Sequence, residues 1–488
     1  MAKSVKQLRS MLSSYCQHHP GVKKLGIVRR SVMSSSWSSM SYVVVLITND
    51  ETFLTLDVND WKDDNDYEPY RNRQITNPNS TVGTLIHMVK GSLGTGIMAM
   101  PLAFKNGGLI FGSIGTIVIC IIYVHCVHLL VSTTYKACKR GKVPLMGFAE
   151  TVHDVFFNGP AKVQPLTKLV TGYVDVMIVI QSCLSFCLYL VFIAKSLRDV
   201  IYNQQQFDWD TRIYLLLLLI PMMLITQIRE LKYLVLFSAI ANLLIIAAIC
   251  IILYVIFNEP LIFVNRKMWP QWSTLPSFVS TVLFAIQGIR YVLPIENKMQ
   301  HPEHFLGSFG VLNIAISLLT VLYTITGFFG YVSYGEKTKG SVTLNLPENK
   351  AIAETTRLLA AIAILFTMGL SYYVPMEILW HHLQPKVLAK RANLVQIVLR
   401  FSVLVALLGI AIAIPEIEPF VGLVGSFGSA TLAVLIPVTI DIIFRWPAGD
   451  FGRAKWQLVK NVVLLVFGLF VMVSGTYFSI LDVVAIYK

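Results

Sequence analysis

The chain has 488 residues, of which 55% are hydrophobic and only 14% are charged, and its formal net charge is +13. Soluble globular proteins usually carry about 25% charged residues, so this composition excludes an ordinary soluble domain. The basic residues lie mostly in short loops between apolar runs. That distribution is typical of membrane topology and of contact with anionic membrane lipid, and it argues against nucleic-acid binding.

Residues 1–78 form a polar tail that is first basic, then rich in serine, and then acidic over residues 57–68. This composition predicts a mostly disordered segment. The patch Tyr42–Ile47 is apolar but far too short to span a membrane. Residues 79–488 are predicted to form the transmembrane domain.

Eleven apolar runs follow the tail, and each is long enough to cross a bilayer as a helix. The amphipathic segment Leu145–Phe157 lies between the second and third runs and predicts a short helix on the inner membrane surface. The fold class predicted is therefore an all-α integral membrane protein with 11 transmembrane helices. The predicted spans are 80–105, 107–134, 167–197, 212–228, 231–257, 276–298, 306–333, 355–380, 394–414, 418–443 and 458–481.

The loops after the second, eighth and tenth spans are rich in lysine and arginine. They share one side of the membrane when the N-terminal tail is cytosolic, as the positive-inside rule expects. The opposite loop 335–357 also carries four basic residues, so the bias is imperfect. The pattern predicts a cytosolic N-terminus and leaves open whether the membrane is the plasma membrane or that of the lysosome.

The first and sixth spans carry residues that interrupt helices. GSLGTG (Gly91–Gly96) precedes Pro101, and Gln287–Gly288 precedes Pro294. Glycine and proline disfavour a continuous helix. At ~1.5 Å per residue, and counted from opposite sides of a ~30 Å core, both sites fall near mid-membrane. This is the pattern of an inverted-repeat transporter with a central site, although close helix packing is an alternative.

A broken helix exposes backbone groups that a zwitterion can bind. The N–H groups at a half-helix N-terminus attract a carboxylate, and freed carbonyls accept an ammonium group. Phe284 and Tyr373 are added as candidates to shape a side-chain pocket, although aromatic residues in spans more often serve packing. The predicted substrate-binding residues are Gly91, Ser92, Gly94, Thr95, Gly96, Phe284, Gln287, Gly288, Arg290 and Tyr373.

Four motifs resemble a known family. LIHMVKGSLGTGIMAMPLAFKNGG (Leu85–Gly108) resembles the first span of the proton-assisted amino acid transporters, which belong to the amino acid/auxin permease family. VLPIENKM (Val292–Met299), YVPMEI (Tyr373–Ile378) and LVGSFGSATLAVLIP (Leu423–Pro437) resemble later spans. The resemblance runs from about residue 78 to the end and leaves out the tail.

The resemblance implies a LeuT-like fold of two inverted five-helix repeats, at about 80–257 and 276–443, with an extra span at 458–481. It also implies proton-coupled symport of small neutral amino acids such as glycine, alanine and proline. The coupling ion would be the proton, and neither a cofactor nor a metal is expected.

His87 and Lys90 lie just before the first break. The resemblance places a proton-coupling histidine at His87, and histidine titrates near neutral pH. The alternative is a buried histidine with a structural hydrogen bond. Lys90 is a candidate to fill the space or charge that sodium occupies in related folds, or it pairs with a carbonyl or carboxylate.

Arg290 departs from the family pattern, because members usually carry a small residue there and a glutamate at the Gln287 position. A cation in the first turn of a half-helix opposes the helix dipole and needs compensation. The candidate partners are the substrate carboxylate, Asp175 or a cluster of protein carbonyls. Alternatively, Arg290 faces water or blocks the site.

Two other classes of function compete with transport. A non-transporting amino-acid sensor that signals through its tail is suggested by Gln287 and Arg290. An ion channel is weaker, because no filter motif occurs. No catalytic motif occurs at a span end, so the chain is predicted not to be an enzyme. Gating or loop anchoring is the role expected for Asp175, Glu296, Glu377 and Asp441.

Overall fold

The computed structural model divides into two units, Met1–Glu68 and Pro69–Lys488, which are described separately. The second unit begins at Pro69, ahead of residue 79, where composition placed the start of the transmembrane domain. The structure describes residues 22–30, 41–48, 53–57, 67–75, 78–205, 209–229, 231–258, 261–347, 351–388 and 391–488.

The N-terminal unit contains a three-stranded antiparallel sheet in the order β1-β2-β3. Val44 of the central strand lies opposite Ile27 on one side and Leu56 on the other. Composition predicted a mostly disordered tail, and the structure describes strands in these three segments. Valine and isoleucine, which favour strands, are concentrated in the central strand, whereas the average composition of the tail conceals them. The strands are β1 (Val22–Arg30), β2 (Ser41–Thr48) and β3 (Phe53–Asp57).

The described part of the membrane unit is built from α-helices joined by short connections. They are α1 (Thr81–Ser92), α2 (Gly96–Gly107), α3 (Leu109–Gly141), α4 (Phe148–Phe157), α5 (Thr167–Gln205), α6 (Thr211–Thr226), α7 (Leu231–Asn258), α8 (Leu275–Ala285), α9 (Ile289–Glu296), α10 (Val311–Tyr334), α11 (Ala351–Leu383), α12 (Ala392–Ala413), α13 (Ile417–Leu423), α14 (Ile436–Arg445) and α15 (Trp456–Ala485).

Within the described ranges, nine helical stretches are long and apolar enough to cross a membrane. The helix α6 is apolar but shorter, and the first predicted span is divided into α1 and α2. The prediction of an all-α membrane domain is confirmed. The helix predicted within Leu145–Phe157 is present as α4. The count of eleven spans stays a prediction.

Other helices pack against the two interrupted spans and against one another. The helix α11 packs against α5 and α7, and α2 packs against both α8 and α10. The tenth span continues from α13 to α14 through π-helical turns at Val424–Ser429 and Thr431–Leu435. A Cβ added at Gly425 would lie 1.8 Å from the Ser280 carbonyl oxygen, so the backbones of this span and α8 are in direct contact. Only glycine permits that approach.

Two buried arginines of the membrane unit, Arg357 and Arg400, are held by backbone carbonyls. Arg400 donates from Nη1 to the carbonyls of Thr226 (2.7 Å) and Ile228 (3.2 Å), at the C-terminal end of α6. Arg357 donates from Nη2 to Leu346 (2.6 Å) and from Nε to Thr343 (3.2 Å). Because a buried charge is costly without hydrogen bonds, these arginines fix the loops that they contact.

Candidate functional site

Both predicted helix breaks are present. The segment Leu93–Thr95 separates α1 from α2, and Ile286–Gly288 separates α8 from α9. The first break is narrower than the predicted GSLGTG stretch, because Gly91 and Ser92 remain in α1 and Gly96 already begins α2. The cause is local: a helix needs only a few residues with altered dihedral angles to end and restart, even where glycines are more numerous.

The two breaks meet at one side chain. The hydroxyl of Tyr323, on α10, lies 2.7 Å from the Ser92 carbonyl and 3.0 Å from the Ala285 carbonyl, and its single proton is shared between them. Both carbonyls belong to last turns of half-helices, where carbonyls lack an intrahelical partner. The two breaks therefore lie close together, as a central site formed by both spans requires. Tyr323 itself escaped sequence reasoning, because an aromatic residue in an apolar span carries no distinguishing signal.

Glycines allow the half-helices to approach each other. A Cβ added at Gly96 would lie 2.5 Å from the Ala285 Cα, and one added at Gly288 would lie 2.4 Å from the Ser92 Oγ. At Gly94 an added Cβ would meet no atom within 4 Å. The backbone is therefore crowded on both sides of the breaks and borders open space at the tip of the first one.

Several buried polar atoms at and around the breaks have no hydrogen-bond partner among the residues that the structure describes. Buried polar groups are normally paired, and a cluster of unpaired ones is typical of a site that binds a ligand or water. These atoms are Ser92 Oγ, Gln287 Oε1 and Arg290 Nε.

Arg290 lies in the first turn of α9, as predicted, and its Nη1 donates to the Ser182 hydroxyl of α5 at 2.7 Å. Its guanidinium carbon lies 5.5 Å from the ring centroid of Tyr291. No carboxylate of the described residues lies within ion-pair distance of Arg290. Asp175, one predicted partner, forms no ion pair with Arg290, and the titratable groups that act on it are His382 and His381 at the end of α11.

The proton-coupling candidates lie beside the breaks and not at them. His87 lies on α1, six residues before the first break, and is exposed there, with Lys90 and Lys298 as charged neighbours. Lys90 is half-buried in the last turn of α1. His87 and Lys90 are neighbours in the structure. Their role in proton coupling stays a prediction.

The two aromatic candidates differ in placement. Phe284 is completely buried in the last turn of α8, next to the second break. The Tyr373 hydroxyl lies beside the Glu377 carboxyl, one turn further along α11. Phe284 therefore lies beside the site, whereas the Tyr373 hydroxyl contacts a residue of its own helix.

The acidic residues predicted to anchor loops make specific contacts. Asp441 accepts hydrogen bonds from Arg445 Nε and Asn461 Nδ2, each at 2.8 Å, which ties α14 to α15. Glu296, at the end of α9, pairs with Arg73 at 3.0 Å. Sequence reasoning missed Arg73, because it assigned residues before 79 to the tail.

A family model described as transmembrane amino acid transporter protein matches residues 77–481. This chain belongs to that family. It is 35% identical over 427 residues to the proton-coupled amino acid transporter-like protein pathetic of Drosophila melanogaster, covering 87% of this chain and 89% of the relative. It is 24% identical over 439 residues to the probable amino acid transporter skat-1 of Caenorhabditis elegans, covering 84% and 91%.

Two solved structures are similar to this chain at lower levels of sequence identity. One is MHP1, a nucleobase-cation-symport-1 family transporter in a closed conformation with bromovinylhydantoin bound, at a TM-score of 0.49, 13% identity and coverages of 86% and 94%. The other is MhsT in complex with L-phenylalanine, at a TM-score of 0.45, 14% identity and coverages of 83% and 97%.

The family assignment confirms the resemblance derived from the four motifs. The protein is a multi-pass membrane protein of an amino acid transporter family, and its relatives are named as transporters and not as enzymes. The alternative of a non-transporting sensor is not favoured by these names.

Proposed function

We propose that this transporter carries small neutral amino acids, such as glycine, alanine and proline, together with protons. The observation that carries the proposal is the meeting of two helix breaks beside a cationic side chain that has no carboxylate partner among the described residues. The substrate carboxylate binds Arg290 and the free N–H groups at the start of α2. Its ammonium group binds free carbonyls at the ends of α1 and α8.

Crowding around the breaks supports a small substrate. A notional Cβ at Gly288 would overlap Ser92 Oγ, whereas one at Gly91 would make only an ordinary van der Waals contact with the Tyr291 ring, at 3.5 Å. A bulky substrate side chain beside Gly288 would have to displace Ser92. The relative named proton-coupled supports the choice of coupling ion. In this proposal the N-terminus is cytosolic, and the membrane is the plasma membrane or the lysosomal membrane.

Uptake measurements test the proposal directly. In vesicles that contain the purified protein, radiolabelled glycine, alanine or proline is expected to accumulate faster when the outside is acidic. A coupling group that is titrated in this range raises the initial rate by up to about tenfold per pH unit. Equal rates at acidic and neutral pH would refute proton coupling alone. If none of the three amino acids is taken up and none stabilises the protein against thermal unfolding, the amino-acid assignment is refuted.

His87→Ala tests the proton site. If His87 carries the coupled proton, this variant loses the acid stimulation of uptake, because no other side chain takes up the proton at that position. His153→Ala is the matched control, since His153 is also an exposed helical histidine but lies on α4, away from the breaks. A His87→Ala variant whose uptake still rises on acidification would exclude His87 from proton coupling.

A further inference from the structure

The segment that precedes the first span is fixed to the membrane unit by a buried ion pair. Arg73 and Glu296 have side chains that are only 4% and 2% exposed. The Nη2 of Arg73 reaches both carboxylate oxygens, at 3.0 and 3.2 Å. Its Nη1 donates to the Glu296 carbonyl at 3.2 Å. Charge-assisted bonds of this kind are among the strongest in proteins.

Arg73 also contacts the connection between α3 and α4. Its Nε donates to the Pro144 carbonyl at 3.1 Å, in the connection between α3 and α4. Asn297, which follows α9, donates to the Met146 carbonyl of the same connection at 3.0 Å. Two side chains therefore join the end of α9 to the α3–α4 connection.

An aromatic residue covers the ion pair. The Arg73 guanidinium lies 4.7 Å from the ring centroid of Tyr70, which packs on Tyr135 of α3 at 4.7 Å between ring centroids. Burial, and then the nearby Glu296 carboxylate, raise the pKa of Tyr70, so its hydroxyl stays protonated at neutral pH. The cluster excludes water from the ion pair, and this strengthens the electrostatic attraction.

Backbone pairing ties α1 to the same structure. Asn79 forms an isolated parallel bridge with Met299: its N–H donates to the Lys298 carbonyl at 2.8 Å, and its carbonyl accepts from Gln300 N–H at 2.9 Å. The half-helices α1 and α9, which lead from this end to the two breaks, are thus joined to each other. Arg73 and Asn297 then join this pair to the α3–α4 connection.

We propose that Tyr70, Arg73 and Asn297 form a latch that closes the path between the two breaks and the N-terminal side of the membrane, and that it opens when substrate leaves on that side. The inference rests on the proposed transport function for its role in the cycle. A buried ion pair can hold this path closed, because separating its two charges while they stay buried costs much free energy. The cost is small once water enters and solvates both groups. In the proposed orientation, the latch controls release into the cytosol.

The test is a thiol-labelling rate that requires no transported solute. Thr84 is completely buried in the second turn of α1, and Thr84→Cys supplies a reporter thiol of similar size. Sealed vesicles with the N-terminal side outward are treated with a membrane-impermeant maleimide, and labelling of the chain without Thr84→Cys is subtracted. Arg73→Ala is expected to raise the labelling rate at least about tenfold, because it leaves the Glu296 carboxylate buried and unpaired.

Three further variants make the outcome decisive. Arg71→Ala is the matched control, because Arg71 is exposed two residues away, and it should leave the labelling rate unchanged. Arg73→Lys should cause a smaller rise, because it keeps the charge but loses the forked contacts. If Arg73→Ala fails to fold, Asn297→Ala removes only the Met146 contact and should raise labelling about threefold.

Unchanged labelling in a folded Arg73→Ala variant, or in Asn297→Ala if the former does not fold, overturns the latch. A rise that Arg71→Ala reproduces also overturns it. The absence of both amino-acid uptake and ligand stabilisation in the earlier assays would refute the proposed substrate without affecting this labelling result, so the two failures are distinguishable.

Discussion

Arg290→Gly is expected to weaken amino-acid binding by about a hundredfold or more and to abolish measurable uptake. The reason is the charge of the group: hydrogen bonds to charged partners contribute about 1.5–3 kcal/mol each, and two of them to one carboxylate account for a hundredfold. Arg290 has Ser182 as its hydrogen-bond partner and an unpaired buried Nε. Thermal stabilisation by glycine or proline reports binding, and radiolabelled uptake reports transport, for the parent and the variant.

Arg290→Lys is the control for this prediction. Lysine keeps the positive charge but cannot present a planar fork to a carboxylate, so an intermediate loss of affinity is expected. The opposite result is informative as well. If Arg290→Gly gains uptake that the parent lacks, Arg290 blocks the site. Ligand stabilisation of a parent that shows no uptake would then favour a receptor over a transporter.

Gly96→Ala is expected to lower the free energy of unfolding by about 1–3 kcal/mol and to impair transport strongly, because it overpacks the meeting point of α2 and α8. The added methyl group would lie 2.5 Å from the Ala285 Cα and 2.8 Å from its carbonyl oxygen. These are backbone atoms and cannot rotate away. The measurement is the thermal unfolding midpoint in detergent, together with uptake.

Gly409→Ala provides the matched comparison. Gly409 lies inside α12, and a Cβ there would meet nothing within 4 Å. Alanine should be neutral or should stabilise the helix by up to about 1 kcal/mol. Equal effects of the two substitutions would show that the helix breaks are not in tight contact, and this would contradict the architecture of the site.

The interrupted spans were predictable because their signal is local. Glycine and proline act on the helix in which they occur, and the depth of Gly91–Gly96 and Gln287–Gly288 follows from helix rise. The extent of the first break was not predictable, since ends of helices depend on tertiary contacts such as that of Tyr323 with Ser92 and Ala285. No periodicity in α10 distinguishes Tyr323 from its apolar neighbours.

The contacts at the N-terminal end of the first span were missed for a different reason. Composition assigned residues up to 78 to the tail, whereas Pro69 already belongs to the membrane unit. A signal was present in the sequence: Tyr70 and Arg73 flank a short polar stretch, and Glu296 is an acid at a span end that needs a cationic partner when buried. Only a three-dimensional structure identifies which of the nearby cations that partner is.

The bridge between Asn79 and Met299 uses main-chain atoms alone. Its geometry is therefore indifferent to which side chains these positions carry, proline at the donating positions excepted. The bridge joins the start of α1 to the end of α9, two half-helices from distant parts of the chain. A tilt of one half-helix is therefore expected to move the other. Evolution can alter the ligand preferences of either half without uncoupling their movement.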